Sequence, residues 1–179
     1  MQKKKLDASK KIVLLGLDNS GKTSIVKCLK GIKNLASFNT PKPTRGHKIN
    51  RFNMFGTNFS IWDFGGQSTY RDELFINFKN SIKETDKIIF VIDIQDQKRY
   101  ETSLEYLTKL NSLIQKHHIV VELSIFLHKY DPDLESITKE INEETIEKLI
   151  NKIRDKIPSD IPYKIFKTSI YTVFQKLSS

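Results

Sequence analysis

The chain has 179 residues, 38% of them hydrophobic, which is enough for one sizeable core and too few for two ordinary domains. Its formal net charge of +9 would suit binding to nucleic acid or to an anionic membrane. Most lysines, however, alternate with acidic and polar residues, as on a solvated surface. We therefore expect no nucleic-acid partner and only weak contact with anionic lipid. A single cysteine excludes an intramolecular disulfide and a four-cysteine zinc site.

Residues 1–10 are predicted to form a basic N-terminal tail, and residues 11–179 a single domain. Three consecutive lysines, Lys3 to Lys5, are followed by no apolar segment, which argues against a secretory signal. The sequence offers neither a myristoylation site after Met1 nor a C-terminal C-a-a-X sequence. We therefore expect a cytoplasmic protein whose contact with membranes, if any, is peripheral and electrostatic.

Short apolar runs alternate with longer segments of helical period, which predicts a doubly wound α/β sheet. The predicted elements in chain order are strand Lys11–Leu15, helix Lys22–Leu29, strands Lys48–Phe55, Asn58–Trp62 and Lys87–Ile92, helix Arg99–Lys116, strand Val120–Leu127, helix Glu143–Ile157 and strand Tyr163–Lys167.

Three details of these elements lead to further predictions. Cys28 falls in the apolar pattern of the first helix and is predicted to be a buried structural thiol. The stretch from Ala36 to His47 lacks periodicity and predicts a long functional loop, and Gly56-Thr57 predicts the turn of an antiparallel hairpin. The longest apolar run, Ile88 to Ile92, is too short to cross a membrane and predicts a buried strand.

A phosphate-binding motif, GLDNSGKT from Gly16 to Thr23, follows the first predicted strand and opens the first helix. Its glycines permit backbone N–H groups to converge on a β-phosphate, Lys22 can reach the β- and γ-oxygens, and Thr23 can place its hydroxyl on Mg²⁺. The predicted nucleotide-binding residues of this segment are Asp18, Asn19, Ser20, Gly21, Lys22, Thr23 and Ser24. The motif alone does not distinguish ATP from GTP.

The sequence WDFGGQ, from Trp62 to Gln67, resembles the WDxGGQ motif of the Arf family of small GTPases in the Ras superfamily. The resemblance implies that Asp63 holds Mg²⁺ through a water molecule and that Gly66 offers its amide to the γ-phosphate. It also implies that Gln67 orients the attacking water. Trp62 could face a partner protein, but a tryptophan at a strand end more often belongs to the core.

A second segment, PTRGH from Pro43 to His47, resembles the first switch of the same family. The resemblance implies that Thr44 coordinates Mg²⁺ and senses the γ-phosphate, so that Gln67, Lys22 and Thr44 form the catalytic set. Arg45 departs from the family, which has an apolar residue there. It could supply transition-state charge in cis, but we expect it to face a partner because the side chain next to Thr44 should point away from it.

The tetrapeptide HKYD, from His128 to Asp131, follows a predicted strand and resembles the Rag branch, whereas most small GTPases have NKxD. Asp131 can accept two hydrogen bonds from the N–H groups of guanine, and adenine offers no matching pair of donors. Lys129 is expected to lay its aliphatic stem along the base. His128 is included among the predicted nucleotide-binding residues, because in place of the asparagine it can still bond to the phosphate loop. The similarity of KTSIY to the Rag TSIY implies a guanine contact at Ser169 and Ile170.

Taken together, these resemblances imply a P-loop G domain with a mostly parallel six-stranded sheet, one antiparallel edge hairpin and helices on both faces. They imply a switch that binds GTP or GDP with Mg²⁺ and hydrolyses GTP slowly, dependent on an activating protein. Regulatory and effector proteins are expected to bind the switch segments around Thr44 and Gly66 and the predicted hairpin between them, the interswitch region. The alternatives are a non-cycling nucleotide-binding adaptor and a P-loop phosphotransferase or ATPase, the latter disfavoured by Asp131.

Overall fold

The computed structural model describes residues 9–31, 42–132, 134 and 140–170. Its strands are β1 (Lys10–Leu15), β2 (His47–Met54), β3 (Thr57–Phe64), β4 (Lys87–Asp93), β5 (Glu122–His128) and β6 (Tyr163–Thr168). Its α-helices are α1 (Lys22–Leu29), α2 (Ser68–Ile76), α3 (Phe78–Ile82), α4 (Tyr100–Lys116) and α5 (Glu143–Lys156), and a 3₁₀ turn, Gln97–Arg99, precedes α4.

The six strands form one sheet in the order β2-β3-β1-β4-β5-β6. Five strands run parallel, and β2 pairs antiparallel with β3 at one edge. The predicted mostly parallel sheet with an antiparallel edge hairpin is therefore confirmed. Because the parallel strands share a direction, their carboxyl ends all meet at one edge, where loops can converge on a ligand.

The hairpin turn lies one residue earlier than predicted. Met54 pairs with Thr57, so the two turn residues are Phe55 and Gly56 rather than Gly56 and Thr57. Both have positive φ angles, 49° and 76°, as a type I′ turn requires, and Phe55 is 97% exposed. The sequence pattern favoured a glycine in first position, but the right-handed twist of the strands selects this turn type.

The core occupies both faces of the sheet, since alternate side chains of β1 point in opposite directions. Val13 and Leu15 join the larger cluster with residues of α4 and α5, whereas Leu14 joins the smaller cluster with Ile25 and Val26 of α1. The helices thus cover both faces, as predicted. In the part of the chain that the structure describes, no helix is long and apolar enough to cross a bilayer.

Trp62 of β3 is half-buried and packs against the larger cluster. Its ring also stacks on His47 with centroids 5.1 Å apart, and Lys11 Nζ lies 4.1 Å from the ring centroid. Trp62 therefore combines a core contact with a stacked position near the surface of the hairpin.

The burial of α1 differs from the prediction. Its buried residues are Lys22, Ile25 and Val26, which lie three and four residues apart on one face, while Cys28 is exposed. Leu29, the last residue of the helix, is 38% exposed. The prediction of a buried thiol at Cys28 is therefore wrong, because the buried face of this short helix ends at Val26.

Other boundaries differ by a few residues, and two helices, α2 and α3, were not predicted. Val120, predicted to begin β5, is 97% exposed and precedes the strand, and Arg99, predicted to begin α4, belongs to the 3₁₀ turn. Part of the predicted loop, residues 36–41, and most of the predicted tail, residues 1–8, lie outside the described residues.

Candidate functional site

The loop between β1 and α1 is shaped by two glycines at positions that exclude a side chain. Gly16 has φ 141°, and a Cβ there would lie 2.3 Å from the carbonyl oxygen of Val91. Gly21, with φ 92°, caps α1, and a Cβ there would lie 2.4 Å from the ring of His128. Only glycine allows the loop to turn this tightly against β4 and β5.

Lys22 begins α1 and is buried beneath the loop. Its Nζ donates hydrogen bonds to the carbonyl oxygens of Gly16 at 3.0 Å and Leu17 at 2.6 Å. Burial lowers the pKa of Lys22 to about 8, and the negative charges of Asp63 and Asp18 oppose that shift. The loop thus carries an ammonium group next to its open side, where it can meet an anion.

A cavity of about 370 Å³ opens beside this loop. The predicted site residues in its lining are Asp18, Asn19, Ser20, Gly21, Lys22, Thr23, Ser24, Thr44, Gly66, Gln67 and Lys129. Lys42, Pro43 and Phe64 also line it and were not predicted. Among the described site residues, Asp63, His128, Asp131, Ser169 and Ile170 lie outside the lining.

The three predicted metal-binding side chains lie within hydrogen-bonding distance of one another. Thr23 Oγ1 donates to Asp63 Oδ2 at 2.6 Å and lies 3.1 Å from Thr44 Oγ1. Asp63 is 1% exposed, and desolvation raises the pKa of its carboxyl group, partly offset by the Thr23 hydroxyl. Within the described residues its Oδ1 has no hydrogen-bond partner. Two hydroxyls and a buried carboxylate with an unused oxygen fit Mg²⁺, which prefers oxygen ligands.

The segment after β3 lies directly against the phosphate loop. Gly65 N donates to Gly46 O at 2.8 Å, which joins this segment to the one that follows Thr44. A Cβ on Gly66 would lie 2.1 Å from Asp18 N, so Gly66 also admits no side chain. Arg71 Nη1 donates to Gly66 O at 2.6 Å and holds this peptide in place.

Gln67 is the N-cap residue of α2, is exposed and lines the cavity, so its amide lies where it could contact a molecule bound there. Arg45 is also exposed but does not line the cavity. The two side chains therefore differ in position, since Gln67 lies at the cavity and Arg45 lies on the surface away from it.

The HKYD segment lies where β5 ends, beside the segment that follows β6. Lys129 Nζ pairs with Asp93 Oδ2 at 2.6 Å. Asp131 Oδ1 accepts a hydrogen bond from Ser169 Oγ, and Asp131 Oδ2 accepts one from Gln95 Nε2 at 3.1 Å. Ile170 follows Ser169 and is half-buried. The two predicted base-binding segments are thus joined through the Asp131 carboxylate.

His128 occupies the position of the usual asparagine and is only 1% exposed. Its Nδ1 lies 3.0 Å from Thr168 Oγ1, and the opposite edge of the ring packs against Gly21. The imidazole thus connects β6 to the phosphate loop. Burial lowers the pKa of His128, and the charge of Lys129 acts in the same direction, while Asp93 and Asp131 oppose it.

This pKa shift predicts a pH dependence of stability. Because the pKa of His128 is lowered by folding, the unfolded chain binds a proton at this residue more tightly than the folded chain does. The neutral imidazole therefore contributes to folding stability above the ordinary pKa of about 6.5, and this contribution is lost as the pH falls through the pKa of the folded state. We expect the unfolding temperature of the wild-type protein to fall more on acidification than that of His128→Asn. Parallel pH profiles of the two proteins, measured by calorimetry, would contradict this prediction.

An ion-pair network that sequence reasoning missed holds the variable part of the phosphate loop. Arg99 Nη1 donates to Asp18 Oδ1 at 3.0 Å and Nη2 to Asp18 O at 3.2 Å, while Nε contacts Asp96 Oδ2 at 2.5 Å. The ion pair between Asp96 and Arg99 could have been predicted, because the two residues are three positions apart in the sequence. The contact with Asp18 spans 81 residues and needs the sheet order to be known.

The model of the ADP-ribosylation factor (Arf) family matches residues 1–177 of the chain. The chain is 34% identical to the ADP-ribosylation factor-like protein alp41 of Schizosaccharomyces pombe over 143 residues, which cover 79% of this chain and 71% of that protein. It is 38% identical to ADP-ribosylation factor-like protein 3 of Chlamydomonas reinhardtii over 128 residues, which cover 72% of this chain and 67% of that protein.

The fold is similar to that of the Arl6 BBS3 small GTPase from Trypanosoma brucei, which was solved with the nucleotide analogue GppNp. The TM-score is 0.64 at 21% identity, with coverage of 90% of this chain and 87% of that one. The mammalian SRP receptor matches with the same TM-score at 19% identity, over 89% and 91% of the two chains. The predicted G-domain fold is therefore confirmed.

Proposed function

Because the chain belongs to the ADP-ribosylation factor family of small GTPases, we propose that it is a molecular switch that binds GTP and GDP with Mg²⁺ and slowly hydrolyses GTP. In this proposal the triphosphate lies in the cavity beside the phosphate loop, and the base lies toward Lys129 and Asp131. Partner proteins recognise the surface around Thr44 and the β2-β3 hairpin when the γ-phosphate orders it.

The observation that carries the proposal is the convergence of three separate segments on one cavity. Lys22 and Thr23 come from α1, Thr44 from the segment before β2, and Gln67 from the segment after β3, and all four line the same space. A phosphate-binding loop alone would suit many nucleotide enzymes. The addition of Thr44 and Gln67 around it supports a site that senses and cleaves the terminal phosphate.

Different residues of the chain have different roles in the proposed hydrolysis. Lys22 binds phosphate oxygens, the Gly66 amide faces the γ-phosphate, and Gln67 orients a water molecule for in-line attack on the phosphorus atom. Thr23, Thr44 and Asp63 would hold Mg²⁺, which would neutralise phosphate charge when bound. We propose slow turnover because the arginines that contact these segments, Arg71 and Arg99, are already bonded within the fold. An arginine from an activating protein would then supply the missing transition-state charge.

Base selection rests on Asp131. Its carboxylate can accept both the ring N–H and the exocyclic amine of guanine, and adenine cannot supply that pair. Lys129 lines the cavity, and its aliphatic stem would lie along the base.

The test is the identity and affinity of the bound nucleotide. We expect chromatography of the nucleotide extracted from the purified protein to show GDP or GTP, and calorimetry to show magnesium-dependent binding of GTP but not of ATP. Chelation of magnesium by EDTA is the matched control and should weaken binding. Equal affinity for ATP and GTP, or no binding of either, would contradict the proposal.

A second candidate, an adaptor that binds nucleotide without cycling, is favoured by one observation. The imidazole of His128 stands where most small GTPases have an asparagine and is turned toward Gly21 and Thr168, so it would offer the base a different contact from that of an amide. Such an adaptor would bind GTP with Mg²⁺ but leave it uncleaved. Single-turnover hydrolysis by the wild-type protein separates the two.

A further inference from the structure

The side chain of Gln95 reaches across from the loop after β4 to the HKYD segment. Its Nε2 donates one hydrogen bond to Lys129 O at 2.9 Å and another to Asp131 Oδ2 at 3.1 Å. Both protons of the amide are therefore used, one on the backbone and one on the carboxylate of the same segment. The Arf and Rag resemblances assign no role to this glutamine.

Gln95 is itself held in place at its backbone. Its N–H donates to Asp93 Oδ1 at 3.0 Å, and the other oxygen of the same carboxylate pairs with Lys129 Nζ at 2.6 Å. Asp93 ends β4 and is buried, so it is a firm anchor. The backbone of Gln95 is thus anchored to the end of β4, while its side chain bonds to the carboxylate that would recognise the base.

The hydrogen bonds to Asp131 are distributed evenly. Ser169 Oγ donates to Oδ1 and Gln95 Nε2 donates to Oδ2, so among the residues that the structure describes each carboxylate oxygen has one hydrogen-bond partner. A carboxylate has about four acceptor sites, two on each oxygen. One site on each oxygen is therefore left, which matches the two adjacent N–H donors of guanine.

We propose that Gln95 is a positioning residue for guanine recognition: together with Ser169 it fixes the plane of the Asp131 carboxylate so that both oxygens face the base. This inference rests on the proposed function and extends it to the residue that sets base specificity. Gln95 does not touch the nucleotide and acts only through Asp131. The competing interpretation is that the Gln95 amide occupies an acceptor position on Asp131 that guanine needs. In that case removal of the amide would strengthen the binding of guanine nucleotides rather than weaken it.

The experiment compares GDP with IDP, whose hypoxanthine base lacks the exocyclic amine and therefore offers Asp131 only one donor. Binding constants for both nucleotides are measured with Mg²⁺ for the wild-type protein and for Gln95→Leu, which keeps the size of the side chain but removes both donors. Gln95→Glu is a second variant, because its carboxylate would repel Asp131. Gln97→Leu is the matched control, since Gln97 lies in the same loop and donates instead to Glu140 O at 3.0 Å.

We expect Gln95→Leu to weaken GDP binding about tenfold and IDP binding only about threefold, so that the preference for GDP falls. Gln95→Glu should show the larger loss, and Gln97→Leu should match the wild-type protein. The unequal effect on the two nucleotides is the decisive readout, because a general loosening of the fold would weaken both alike.

Equal losses for GDP and IDP, unchanged binding, or tighter binding of GDP by Gln95→Leu would each overturn the inference. In those cases wild-type binding of GDP would still stand, and with it the proposed function. Absence of GDP binding by the wild-type protein would instead defeat the proposed function and this inference together. Because Gln95 is exposed, we expect every variant to fold, which an unchanged unfolding temperature of the nucleotide-free proteins would establish.

Discussion

Replacing Lys22 by alanine is expected to weaken GDP binding by more than about a hundredfold, since removal of one partner from a buried charge pair costs about 3–5 kcal/mol. Lys22 is the one predicted phosphate ligand that carries a full positive charge, and its burial beneath the loop leaves its charge little screened by water. The carbonyl oxygens of Gly16 and Leu17 and the hydroxyl of Ser20 already hold its ammonium group, so a phosphate oxygen would take the place of one of these three partners.

Displacement of a fluorescent GDP analogue measures this effect. Lys30→Ala is the control, because Lys30 lies just past the end of α1 and is exposed. A Lys22→Ala protein that folds normally and binds GDP within a few fold of the wild type would show that the nucleotide lies elsewhere.

Replacing Gln67 by leucine is expected to slow single-turnover hydrolysis of GTP on the order of a hundredfold while leaving GTP affinity nearly unchanged. Gln67 is exposed at the start of α2 and lines the cavity, so its amide can orient water without contributing to the fold. Leucine keeps the size of the side chain but can neither donate nor accept a hydrogen bond.

Phosphate release after a single turnover measures the rate, with ATP as the comparison substrate. Gln115→Leu is the control, since Gln115 lies in α4 and bonds to Asp160. If the wild-type protein cleaves GTP but not ATP, and Gln67→Leu loses that activity, the result supports the proposed switch. Absence of cleavage by the wild type would favour the adaptor, and equal cleavage of ATP would contradict both.

The sheet was predictable because its signals are local. Each buried strand is a short apolar run, and the glycine-rich motif after β1 marks the point where the chain enters α1. The helices α2 and α3 were missed for a physical reason. In α2 only Leu74 is buried, and α3 has five residues, so neither presents enough buried positions to establish a helical period.

The site was predictable to the extent that its residues lie in contiguous motifs. The phosphate loop is one example, because its glycine spacing indicates a close approach of backbone to phosphate. The segment before Gln67 is another, because its resemblance to the Arf motif implied a role for Gly66. The contacts of Arg99 with Asp18 and of Gln95 with Asp131 join separate loops. They depend on β1, β4 and β5 being neighbours, which no short stretch of sequence encodes.

The exposed sulfur of Cys28 makes this protein suited to site-directed labelling. The chain has one cysteine, so a maleimide dye would attach at a single known position without prior mutagenesis. Cys28 lies six residues after Lys22 on the same helix, about 9 Å along its axis. A fluorophore there would sit close enough to report nucleotide exchange in real time, yet on the solvent side of α1, where it would not obstruct the cavity.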